Sequence, residues 1–146
     1  MGLDAVVYRH INNLEIDRAD KEKALIDEER GEVYFEDPEM ARKYGHRPFI
    51  AIEKRLGNIA AIGAIDQEIV SVIGGAPSTM HEKVLYSGSH CGDFIAYDEL
   101  DQVDAEIAMI KKLSAGVRTP LLDGFLSDMT DLVKAAKEQK QPIVFT

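Results

Sequence analysis

The stretch TPLLDGFLSDMTDLVKAAKEQK, residues 119–140, constrains the fold more than any other part of the chain. Thr119 followed by Pro120 is a helix entry, a side-chain cap and then a residue whose fixed φ suits the first turn. From there Leu122, Phe125, Leu126, Met129, Leu132, Val133 and Ala136 recur at helical spacing and make one apolar stripe. Asp123, Asp128 and Asp131 precede Lys134, Lys137 and Lys140, the order that the helix dipole favours. A stripe this long needs a cover. Two short β-branched runs offer one, LDAVVY at 3–8 and PIVF at 142–145. Both are predicted to lie in one sheet, side by side.

The segments between them read as helices and short strands. EVYFED, 32–37, alternates Val33 and Phe35 with charge, as a half-buried strand does. Asp37 and Pro38 then open a helix of one or two turns that closes at Gly45. RPFIAIEKRLGN suits either a strand or a first helical segment. After Asn58, a side-chain cap, Ile59, Ile62, Ile65, Ile69, Val72 and Ile73 fall at helical spacing. Because Ala60, Ala61, Gly63 and Ala64 leave this helix few bulky groups, it is expected to be central; Gly74-Gly75 stops it. KVLY, 83–86, reads as a strand. Asp98 is expected to cap a helix with Leu100, Val103, Ile107, Ile110 and Leu113 inward and Asp101, Asp104 and Lys111 outward. The expected architecture is one α+β domain over residues 1–146, a small, mainly antiparallel sheet under a single layer of about three helices.

Composition bears on partners. The formal net charge is -9, and it is unevenly spread. Residues 15–39 hold eleven acidic side chains against four basic ones, and residues 98–110 hold five acids with no base. Such a surface repels phosphates, so nucleic acid is excluded as an expected partner, while a basic protein is attracted. The plainer reading is that acidity keeps the chain in solution. Cys91 is the one cysteine, which rules out an intrachain disulfide and points to a reducing compartment. No apolar run approaches the ~20 residues of a membrane span, and MGLDAVVYRH is not patterned as a secretion signal. A cytoplasmic location with no membrane contact is expected.

The chemistry-bearing stretch is YSGSHCGD, 86–93. A thiol near a helix start can be a nucleophile, which makes Cys91 and His90 the candidate catalytic pair of a small hydrolase or transferase. Ser87, Ser89, His90 and Asp93 are candidate ligand-binding residues if the segment is a small-molecule site. The commoner use of such glycine-flanked residues is a turn joining two elements. The histidines at 10, 46, 81 and 90 lack metal-ligand spacing, and no phosphate loop is present, so neither metal nor cofactor is expected. The candidate partner-binding residues are Asp98, Asp101, Asp104 and Glu106.

Four patches, MGLDAVVY, RLGN before the alanine-rich helix, YSGSHCGD, and FLSDMTDLVKAA leading to PIVF, resemble a small family of uncharacterised bacterial proteins. The resemblance implies a bacterial or phage origin and carries no activity with it. In size, acidity and α+β build the chain is also similar in general character to immunity proteins that neutralise bacterial toxins. The expectation is therefore a non-catalytic acidic protein that binds a basic one.

Overall fold

A computed structural model describes residues 2–85 and 93–146. The apolar runs near both ends form strands β1 (Gly2–Tyr8) and β6 (Ile143–Phe145), which pair antiparallel as Ala5 with Phe145 and Val6 with Val144. The ambiguous RPFIAIEKRLGN resolves into β4 (Ile50–Asn58), antiparallel to β1 along its whole length. Phe94–Ile95 forms β5 against β6, giving the order β4-β1-β6-β5. The short elements β2 (Leu25–Ile26) and β3 (Val33–Tyr34) make a separate antiparallel ribbon.

Three long helices complete the main body: α3 (Ile59–Ile73), α4 (Leu100–Leu113) and α5 (Pro120–Gln139). Thr119 caps α5 by accepting from Leu122 N, and all seven residues of its expected stripe are buried. They meet Leu3, Ala5 and Val7 of β1, Ile62, Ile65 and Ile69 of α3, and Val103, Ile107 and Ile110 of α4 in one core. At about 1.5–3 kcal/mol for each large side chain removed from water, this core supplies the dominant favourable term for folding. Lys54 reaches from β4 to Asp128 and Asp131 of α5, at 3.5 and 3.1 Å, and fixes the helix over the strand.

Three expectations are corrected. Residues 83–85 are not a strand, and Tyr86 lies outside the described residues; His81–Leu85 is a π-helical turn that buries Val84 and Leu85 beside Met80. Helix spacing wins there because a carboxylate from α4 holds the preceding amides, as described below. Asn58 does cap α3, accepting from Ala61 N at 2.8 Å, but the small-residue side of that helix faces solvent. Ile62, Ile65 and Ile69 suffice to seat it, leaving Ile59 and Val70 exposed. Leu113, expected inward, lies at the last turn of α4 and is 53% exposed.

Residues 9–49 form a lobe between β1 and β4. Within it lie α1 (Arg18–Lys21), the ribbon, and α2 (Pro38–Tyr44), which Asp37 caps by accepting from Glu39 N. Val33 and Phe35 point inward as expected, joining Leu14 and Phe49 in a second small core. Phe35 stacks with Tyr44 at 6.0 Å and meets Phe49 edge to face. Two glutamines tie the lobe to the end of α5 and the start of β6. Gln139 Oε1 accepts from His10 N at 2.9 Å, and Gln141 Nε2 donates to Arg9 O and to Gly31 O at 3.3 and 3.1 Å.

Gly31 is required at that tie. Its φ is +72°, and a Cβ there would lie 2.1 Å from Gln141 Oε1. Gly31→Ala is expected to cost about 1–3 kcal/mol through the strained backbone alone, with further loss as Gln141 is displaced. Hydrogen exchange should then rise at Gly31 and through the ribbon while α5 stays protected; unchanged exchange would show that the tie is unimportant.

Candidate interaction surface

One face of the sheet carries the helices, and the other defines the surface of interest. Glu53, Val6, Val144 and Phe94 are successive cross-strand neighbours, one from each of β4, β1, β6 and β5. Because side chains alternate along a strand, and Leu3, Ala5 and Val7 point to the helices, this row points away from them. Val6 and Val144 are nevertheless buried. The turn that joins β2 to β3 lies along the row: the Arg30 guanidinium sits 5.9 Å from the centre of the Phe94 ring, and Gly31 backs onto Gln141.

That placement gathers negative charge from distant parts of the sequence. Burial pushes the Tyr8 hydroxyl above its ordinary pKa, and the carboxylates of Glu32, Glu53 and Asp27 push it further. Asp27 also organises the turn, with Oδ1 accepting from Glu29 N and Arg30 N at 3.0 and 3.1 Å. Glu28 and Glu29 stand exposed at its tip. Deeper in the lobe, Asp20 is held below the usual carboxylate range, first by the Tyr44 hydroxyl and then by Lys43. Its role is to join α1 to α2 rather than to face outward.

The second acidic stretch enters beside β5. A 3-10 turn, Tyr97–Glu99, leads into α4, so Asp98 is not the helix cap expected; Ala96 precedes the turn, and its N–H donates to Glu99 Oε1 at 3.3 Å. Asp98 is exposed, with no ion pair to it among the described residues. Asp101 and Asp104 are exposed too, but both hold Lys137 of α5, at 2.8 and 2.5 Å. Hydrogen bonds that Lys137 donates to Asp101 first and Asp104 second raise its pKa. Tyr97, Asp98, Leu100, Asp101 and Lys137 line a shallow recess of about 210 Å³.

Glu106 does not belong to this face. It is 3% exposed, and its carboxylate accepts from Thr79 N at 2.5 Å, Met80 N at 3.2 Å and Ser78 Oγ at 3.4 Å. Grouping the acids of residues 98–110 on one outer face misplaces it, because position 106 lies beside Val103 and Ile107 on the inward side of α4. The group closes a helix start inside the protein, and its assignment to partner binding is withdrawn.

Of the residues singled out for chemistry, Ser87, Ser89, His90 and Cys91 lie outside the described residues, and Asp93 is exposed where β5 begins. Among the described residues His81 pairs with Asp66 at 2.6 Å, and no group of three His, Cys, Asp or Glu is placed to hold a metal. None of their helices is long and apolar enough to cross a membrane. Sequence reasoning missed Tyr8, Glu53 and Gln141, whose convergence depends on strand register and carries no local signal. No family model, curated protein or solved structure matches this chain.

Proposed function

We propose that the chain is a non-catalytic binding protein of the immunity or inhibitor type, cytoplasmic, which meets a basic protein through its acidic side. The observation that carries this reading is geometric: strand pairing sets Glu53 of β4 opposite Val6 of β1, and the turn that holds Asp27 and Glu32 lies along the same cross-strand row, with Arg30 5.9 Å from the Phe94 ring. Other carboxylates are engaged internally: Asp4 with Arg55, Asp66 with His81, Glu68 with Thr119, Asp123 with Arg118, and Asp128 and Asp131 with Lys54. Of the acids outside these pairs, exposed Glu28, Glu53 and Asp98 and half-buried Glu32 flank the turn over the sheet and the entry to α4, while Glu15, Glu22, Glu36, Glu39, Glu82 and Glu138 are exposed as well. A field of one sign focused on one side speeds encounter with an opposite charge. The general likeness to immunity proteins in size, acidity and α+β build points the same way.

Association kinetics test the proposal. The probe is a synthetic lysine-rich polypeptide, and its binding is followed at about 50 and about 300 mM salt, where the Debye length shortens by more than half. The wild-type association rate should fall steeply with salt, and Glu28→Lys with Asp98→Lys should lower the low-salt rate by about tenfold. Equal rates for wild type and variant at both salts would refute an electrostatic partner site.

A further inference from the structure

The acidic lobe presents an apolar feature at its outer edge. Leu25 is 38% exposed, Ile26 45% and Tyr34 43%, and all three lie on the β2–β3 ribbon. Leu25 and Tyr34 are direct cross-strand partners and therefore share one face; Ile26 is opposite Val33, which the lobe core buries. A two-stranded ribbon leaves a free edge on each strand, and natural proteins ordinarily blunt such edges with charge. Here the flanking sequence carries the charge instead, with Glu22, Glu28, Glu32 and Glu36 against Lys21, Lys23 and Arg30. An exposed aromatic and aliphatic pair inside a charged rim is the composition of a binding hot spot with its ring of polar neighbours.

We propose that this ribbon is the anchor of the interface, and that its occupant is a segment of the basic partner in which apolar and basic side chains alternate. The proposal rests on the acidic-binding reading above and adds to it the apolar contact that fixes the partner. The partner's apolar groups would cover Leu25 and Tyr34 while its Lys or Arg side chains meet the glutamates. Charge complementarity selects this occupant over a second copy, which would bring the same glutamates against one another. Another set of exposed apolar residues among the described ones, Leu113, Val117 and Leu121, has Lys111, Lys112 and Arg118 beside it in sequence and so lacks the acidic surround.

Three synthetic peptides of equal length separate the possibilities: alternating Leu-Lys, alternating Gly-Lys and alternating Leu-Glu. Wild-type protein should bind the Leu-Lys peptide at least about tenfold more tightly than the Gly-Lys peptide. The pair Leu25→Ser and Tyr34→Ala should abolish that preference without changing affinity for Gly-Lys. Val117→Ser, in the lysine-flanked group, should change neither. All substituted side chains are exposed, and matching thermal unfolding curves verify that the fold is intact. A Leu-Lys preference that survives the ribbon substitutions would overturn the anchor and leave the electrostatic reading standing. If neither lysine peptide binds better than Leu-Glu, both readings fall. Wild-type dimers in sedimentation that the ribbon substitutions dissociate would assign the ribbon to a second copy instead.

Discussion

Glu106→Ala is expected to lower stability by roughly 2–4 kcal/mol, because two backbone donors at the start of the 79–85 turn lose their acceptor, at about 1–3 kcal/mol each. Thr79 N and Met80 N both donate to this carboxylate, and Met80 is fully buried, so water reaches the second amide poorly. Thermal unfolding should fall by about 5–15 °C for a domain of this size. Glu106→Gln keeps one carbonyl acceptor but turns an NH₂ toward the other amide, so it should lie between wild type and Glu106→Ala. Asp104→Ala, one turn's reach away but outward, removes one of the two carboxylates on Lys137 and leaves the buried contact intact. An Ala variant at 106 within about 0.5 kcal/mol of wild type would show that the turn does not depend on this group.

The contrast between 106 and its acidic neighbours shows where sequence pattern succeeds and fails. Periodicity located α5 to the residue at its start, since Thr119, Pro120 and a seven-member apolar stripe all specify the same helix. That both terminal runs lie in one mainly antiparallel sheet was also legible, whereas the strand order β4-β1-β6-β5 was not, because covering one apolar surface does not dictate which strands are neighbours. Residues 83–85 failed because Val84 and Leu85 suit a strand by propensity, and the group that overrides propensity, Glu106, lies more than twenty residues away. Asp101 and Asp104 were rightly placed outward, yet their engagement with Lys137 required knowing how α4 crosses α5. The acidic side over β1 and β4 was invisible for the same kind of reason: Tyr8 and Glu53 become neighbours of Asp27 only through strand pairing and the Gln141 tie.

Phe145→Ala carries the other large effect, about 3–5 kcal/mol for deleting a buried aromatic ring from a packed core. Phe145 is fully buried, lies opposite Ala5 in β1, and donates its backbone N–H to Asp93 O at 2.9 Å. Residues at the edge of a chain are commonly mobile unless they are tied down; here the tie is β6, which stands between β1 and β5. Thr146→Ala is the control, since Thr146 is exposed and its backbone exchange with Asp4 survives the substitution, so its effect should stay within about 0.5 kcal/mol. Denaturant unfolding measures both, and an unchanged m-value is required if the same surface is exposed on unfolding. A loss below about 1 kcal/mol for Phe145→Ala would mean that the site relaxes around the missing ring and that β6 is dispensable to the core. The expected loss consumes a large part of the 5–15 kcal/mol typical of a domain, yet it leaves Glu28, Glu32, Glu53 and Asp98 in place. The folded fraction of Phe145→Ala should therefore associate with a basic partner at the wild-type rate, which separates the residues that hold the sheet together from those that face the partner.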